Sequence, residues 1–172
     1  METIRQIIEM KGPIIFSIGP NESVFDALRL MAHKEIGALL VMESDCLVGI
    51  ISERDYARKI ILLGRTSRQT KVKEIMSSPV HTIHPDQTVE EAMVSMNTNQ
   101  IRHLPVSEDG KHVLGIISIK DLLGSIIYYQ RESIKFLEDT VIKQRNTILD
   151  LEETLGVDYD NRPRVERLVP QK

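Results

Sequence analysis

The chain has 172 residues, one domain or two very small ones, enough to bury roughly 70% of the surface its unfolded form exposes. Its 22 basic and 25 acidic residues leave a net charge of −3, which argues against bulk attraction to nucleic acid or an anionic membrane. A single cysteine, Cys46, excludes an internal disulfide and a CxxC metal pair; with no apolar run of membrane-spanning length and no signal-like start, a soluble cytoplasmic protein is expected.

Ile4, Ile7 and Ile8 fall on one face of a short helix over residues 3–10, which Gly12 and Pro13 end. Residues 14–18 read as a strand and Gly19, Pro20 and Asn21 as a turn. Ser23 or Asn21 can cap a helix over about 23–35, with Val24, Ala27, Leu28, Met31 and Ala32 as its apolar stripe. Residues 38–42 and 47–51 are nearly continuous apolar runs, as in strands buried on both faces. A helix over about 53–63 follows and ends near Gly64.

The pattern then restarts. After a polar linker, residues 72–76 read as a short helix, 80–83 as a strand, 87–97 as a helix, and 104–106 and 113–117 as strands. Ser17 and Thr82, Pro20 and Pro85, Ser23 and Thr88, and Ala27 and Ala92 all stand 65 residues apart. Gly49 and Gly115, Ser52 and Ser118, and Asp55 and Asp121 stand 66 apart, so one residue is inserted in the second copy's turn between strands. Two β-α-β-β-α units are expected.

The phrase Gly-Ile-Ile-Ser-x-x-Asp occurs at 49–55 and again at 115–121. Each copy closes a strand and opens a helix, with Ser at the N-cap and Asp three residues on, as in a capping box. Free amides and a hydroxyl at a helix start can also hold an anion. Residues 54–73 carry seven Arg and Lys against Asp55 alone, either a solvated face or a seat for polyphosphate. His81 and His84, three apart on a strand, face opposite ways and do not form a metal pair. No nucleophile–base motif, Walker motif or zinc motif is present, so catalysis is not expected.

Beyond the repeats, Ile127, Ile134, Val141, Ile148 and Leu155 recur every seven residues, with Leu137 and Leu151 at d positions and Gln144 as a polar intrusion. A homodimer in which this helix pairs with its copy is expected, because seven exposed seam positions drive association. Residues 156–172, with two Pro and little apolar surface, read as loosely ordered.

At the two Gly-Ile-Ile-Ser-x-x-Asp phrases, the Met-Ser-Ser-Pro-Val entry at 76–80, the start at 84–89 and the Ile-Arg-His-Leu-Pro-Val strand at 101–106, the chain resembles tandem cystathionine β-synthase (CBS) domain proteins. The resemblance covers about residues 3–127. It implies an α/β (α+β) fold of two pseudo-symmetric CBS repeats packed as one Bateman module, here followed by a long C-terminal helix. The boundaries expected are 3–64 for repeat 1, 65–71 for a linker, 72–130 for repeat 2, 131–155 for the heptad helix and 156–172 for the tail. The resemblance also implies clefts for an adenine nucleotide, AMP or ATP and sometimes NAD or S-adenosylmethionine, with no catalytic cofactor and no metal.

By that resemblance Asp121 and Asp55 accept the ribose hydroxyls, Ser118 and Ser52 lie near ribose or phosphate, and Thr82 and Ser17 meet the nucleotide at the cleft mouth. Arg102 and His103 are placed for phosphate, and their counterparts are Gly37 and Ala38. The better-equipped site is therefore expected to hold Thr82, Arg102, His103, Ser118 and Asp121, and the second site Ser17, Ser52, Arg54 and Asp55. The function implied is a regulatory sensor without a catalytic domain, in which ligand shifts the placement of the two repeats and a protein target reads the shift. The alternative is a scaffold dimer that uses the C-terminal helix and whose clefts are vestigial.

Overall fold

The computed structural model describes residues 2–12 and 14–155; the expectations for Pro13 and for the tail at 156–172 lie outside them. Contacts divide the chain into a unit ending at Ile126 and a second unit beginning at Ile127.

In the first unit the repeat is built from matched helix starts. Ser23 accepts the Asp26 amide at 3.1 Å and caps α2 (Val24–Lys34). Thr88 accepts the Glu91 amide at 3.2 Å and caps α4 (Val89–Thr98). Each helix lies against strands that carry Val, Leu and Ile. In the first repeat β1 (Ser17–Ile18) runs parallel to β2 (Ala38–Glu43), which pairs antiparallel with β3 (Cys46–Ser52). In the second, β4 (His103–Ser107) pairs antiparallel with β5 (Val113–Ser118). Both hairpins shift register at the same place, Val41/Met42 and Val106/Ser107.

The strand expected at 80–83 is reduced to one parallel bridge, Ile83 to Val106. The strand expected at 14–18 is trimmed to its last two residues. Two helices also differ from expectation. After Ser52, α3 (Glu53–Tyr56) continues as a π-helical turn over Ala57–Ile61. The segment after Lys71 is a single 3-10 turn, Val72–Glu74.

The two repeats exchange their lead-in segments. Ile4 and Ile7 of α1 (Ile4–Lys11) are buried with Ile83, Met96, Leu104 and Leu122 in the second repeat's core. Val72 and Ile75 are buried with Val24, Met31, Leu39 and Ile60 in the first. The backbone seals both exchanges in the same way. Val24 donates to Thr70 O at 2.9 Å and Val89 to Glu2 O at 3.1 Å. In return Val72 donates to Glu22 O at 2.9 Å and Ile4 to Gln87 O at 2.9 Å. Each lead-in therefore satisfies amides and carbonyls at the start of the other repeat's helix, groups that would otherwise be orphaned.

The glycines of the repeated phrase make room for the same exchange. A Cβ on Gly49 would overlap Met76 Sδ, and one on Gly115 would come within 2.6 Å of Ile8 Cδ1. β3 and β5 thus lie close against the incoming lead-ins, which only Gly permits without a shift.

In α5 (Ile119–Leu155) Leu122 and Ser125 are buried in the first unit. From Ile127 onward the helix forms the second unit. There its seam side chains, Ile134, Leu137, Val141, Ile148 and Leu151, are exposed.

Candidate functional site

The repeated Ser-x-x-Asp phrases produce two like carboxylate sites. Asp55 Oδ2 accepts the Ser52 amide at 3.0 Å and the Ser52 hydroxyl at 2.7 Å. Asp121 Oδ2 accepts the Ser118 amide and hydroxyl, both at 2.7 Å. These are the reciprocal bonds of a capping box, which fix each carboxylate against a helix start. The lysines that meet them differ in origin. Lys59, one turn along on the π-helical segment, reaches Asp55 Oδ1 at 2.8 Å. Lys11, at the end of the exchanged α1, reaches Asp121 Oδ2 at 2.8 Å and the Ile116 carbonyl at 3.0 Å.

Each helix start faces a cleft. The Asp55 cleft, about 330 Å³, is lined by Ser52, Arg54, Asp55, Arg58, Lys59, Ser77, His81, Arg102 and His103. The Ser118 cleft, about 460 Å³, is lined by Lys11, Ile14, Phe16, Glu35, Gly37, Glu53, Arg102, His103, Ser118 and Lys120. Lead-in residues complete each one: Ser77, Val80 and His81 line the Asp55 cleft, and Lys11, Ile14 and Phe16 the Ser118 cleft.

This arrangement groups the residues differently from the sequence-based expectation. Arg102 and His103 line both clefts, because they lead into β4 between the two helix starts. Gly37 and Ala38, their counterparts, line the Ser118 cleft. Asp121 lines neither cleft; its partner Lys11 lines the Ser118 cleft. Thr82 and Ser17 line neither: Ser17 is paired with Leu40 in β1, and Thr82 precedes the bridging Ile83. Lead-in exchange places their neighbours His81 and Phe16 on opposite clefts instead.

The electrostatics of the clefts differ. Around Asp55 stand Arg54, Arg58, Lys59 and Arg102, with Asp55 the one carboxylate among the described residues on that lining. The Ser118 cleft sets Lys11, Lys120 and Arg102 against Glu35 and Glu53. The long basic run at 54–73 divides accordingly. Arg58 and Lys59 face the cleft, Arg65 reaches Glu74 at 3.8 Å and Arg68 stacks 3.9 Å over Phe25. Arg54 donates to the Gln100 carbonyl at 2.9 Å, tying the first repeat's helix start to the second repeat.

Burial alone would raise the Asp121 carboxyl, but bonds from Lys11 and from the Ser118 hydroxyl and amide outweigh it and hold the group below its ordinary value. His103 is held below the ordinary imidazole value by burial, then by Arg102 and Lys11, with Asp121 pulling the other way. It is therefore a neutral ring near pH 7. The unfolded chain takes up that proton near pH 6.5 and the folded chain only lower, so its contribution to stability is full above about pH 6.5 and declines below it. Melting temperature is expected to fall as pH drops below about 6.5, with His103→Gln flattening the decline. An unchanged slope in the variant would remove His103 as a cause.

Sequence reasoning did not single out Lys11, Glu35 or Glu53, and it weighed His81 only as a metal ligand. The first three are exposed-type charges at or beside helix ends, where such residues occur for solubility and capping alone. The one usable signal lay in the basic run, from which Arg58 and Lys59 reach the cleft. Among the described residues no group of three or more His, Cys, Asp or Glu is placed to hold a metal ion. Among the same residues no helix is long and apolar enough to cross a membrane.

Two tandem repeats, exchanged lead-ins and paired clefts at repeated helix starts define a tandem-repeat module. The CBS domain family model matches residues 4–62 and again 72–128, and the chain belongs to that family. It is similar to a solved CBS-domain protein from Burkholderia ambifaria, 44% identical, covering 74% of this chain and 95% of that one, with a TM-score of 0.71. It is 41% identical to the mitochondrial CBS domain-containing protein CBSX3 of Arabidopsis thaliana over 68% of this chain, and it spans 59% of that relative's length. The hexameric CBS-CP12 protein of bloom-forming cyanobacteria matches 90% of this chain and 88% of its own at 27% identity, with a TM-score of 0.66.

Proposed function

We propose that the chain is a regulatory module that binds an adenine nucleotide, AMP or ATP and in some states NAD, in the clefts between its repeats. The observation that carries this reading is the Asp55 cleft. A carboxylate fixed by Ser52 stands at one side, and Arg58, Lys59 and Arg102 stand around the same cavity. Asp55 is an acceptor for two ribose hydroxyls, and guanidinium and ammonium groups are the usual partners of phosphate. When hydroxyls bond Asp55, Lys59 is released toward the phosphates, so the resting ion pair preorganises the site rather than blocking it. The Ser118 cleft, with Glu35 and Glu53 on its wall, suits a ligand of lower negative charge.

The module has no catalytic role in this reading, acts in the cytoplasm, and passes its ligand state to a protein target through the relative placement of the repeats. It works as a homodimer. The seam side chains of α5, 54–62% exposed from Ile134 to Leu151, are the element that a second copy covers.

Arg58 separates nucleotide binding from mere occupancy by adenosine. Losing one charge-assisted phosphate contact, about 1.5–3 kcal/mol, is expected to weaken ATP binding at least about tenfold in Arg58→Ala. Adenosine affinity should stay unchanged, as read by calorimetry with both ligands. Equal losses for the two would show that Arg58 supports the fold of the cleft instead.

A further inference from the structure

The second unit carries a charge pattern that the homodimer reading leaves unused. Beside the apolar seam, the e positions of α5 alternate in sign: Arg131, Glu138, Arg145, Glu152. Among the described residues none of these four makes an ion pair within the chain. The g positions are Ser133, Thr140, Thr147 and Thr154. Three of these hydroxyls are already spent inside the helix, donating to Phe136 O at 2.8 Å, Lys143 O at 3.0 Å and Asp150 O at 2.7 Å.

A parallel pair in register sets e against the partner's g. Every charge would then face Ser or Thr, and the alternation would do nothing. Reversing one helix sets the e row against the other e row and a against d, and the alternation becomes complementary. We infer that α5 pairs antiparallel with a second copy of the chain, centred between Val141 and Gln144. Arg131 then meets the copy's Glu152 and Glu138 meets its Arg145, each pair occurring twice. In the seam Ile134 packs on the copy's Leu151 and Leu137 on its Ile148. The two Gln144 amides flank the two-fold axis beside Val141, where they can bond each other rather than stay unpaired in an apolar layer.

Register follows from the same rows. A slip of one heptad puts Glu138 against Glu138 and Arg131 against Arg145, or the mirror set, so like charges oppose along the whole row. The inference rests on the homodimer reading and names its orientation and register.

The test uses the full chain with Cys46→Ser and a spin label on a single new cysteine, Asn146→Cys or Glu153→Cys, both on the outer face. In the antiparallel pair the axial offset between like labels grows by about 3 Å per residue from the centre, so that offset is on the order of 20 Å larger for Glu153 labels than for Asn146 labels. Equal distances at both positions mean a parallel pair, which overturns the inference and leaves the homodimer standing. No coupling between chains at either position overturns the homodimer reading itself. A second arm reads the charges. Glu138→Arg with Glu152→Arg, and Arg131→Glu with Arg145→Glu, are each expected to lose the inter-chain distance, and an equimolar mixture to restore it. If both double variants pair as the parent does, the e rows do not meet and the register is wrong.

Discussion

Ile4→Ala is expected to destabilise the second repeat, although residue 4 precedes the whole of the first. Ile4 is fully buried among Met96, Leu104, Ile117 and Leu122. Truncating such a side chain removes its transfer free energy and leaves a cavity, which together cost about 2–5 kcal/mol. For a unit of this size that corresponds to a loss on the order of 10 °C in melting temperature. The location of the damage is the informative part. Hydrogen exchange should show protection lost first over residues 83–122, with 24–60 less affected. Val72→Ala should give the mirror image, because Val72 is buried in the first core. If Ile4→Ala instead loosens residues 24–60, the lead-ins do not cross in solution.

Asp55→Ala is expected to weaken ATP binding by one to two orders of magnitude. Two ribose hydroxyls on one carboxylate are charge-assisted bonds of about 1.5–3 kcal/mol each, and part of that is recovered by water in the variant. The same change removes the partner of Ser52 and of Lys59. The structural loss is modest, about 1 kcal/mol as for a helix cap. Affinity and stability therefore separate the two roles of the residue. A collapse in melting temperature with ATP affinity intact would make Asp55 a cap and nothing more. Asp121→Ala gives the comparison. Its carboxylate is held by Lys11 from the exchanged helix, and of the two only Lys11 lines the Ser118 cleft. The smaller effect on ATP is expected there, with a larger effect on the anchoring of α1.

The helix starts were legible because capping is local. Ser23, Ser52, Thr88 and Ser118 announce themselves within three residues of sequence, and each sits where its side chain can close that turn. The repeat was legible because spacing survives folding, even to the matched register shifts at Val41 and Val106. The partner of each lead-in was not. Ile4 and Ile7 mark an apolar face, but periodicity does not say which of two near-identical repeats receives it. The crossed grouping of the site residues follows from that gap. Once the lead-ins exchange, the neighbours of Ser17 and Thr82 line clefts opposite to those that chain order suggests, and Arg102 and His103 fall between both. The strand expected over 80–83 is cut short for a related reason: Val80 lines the Asp55 cleft, and only Ile83, buried in the second core, keeps a sheet partner. Lys11 was illegible because a lysine in the last turn of a helix is ordinary, and only the tertiary fold brings it to Asp121.

The central claim is that these clefts bind an adenine nucleotide. Titration calorimetry of the nucleotide-stripped 172-residue chain with AMP, ATP and NAD, paired with thermal melts, tests it most directly. The account predicts saturable heat with at least one of the three. Near a hundredfold excess over its dissociation constant, that ligand should stabilise the protein by about 2.7 kcal/mol. No heat and no thermal shift with any of them would contradict the account and leave a scaffold dimer whose clefts are empty by design.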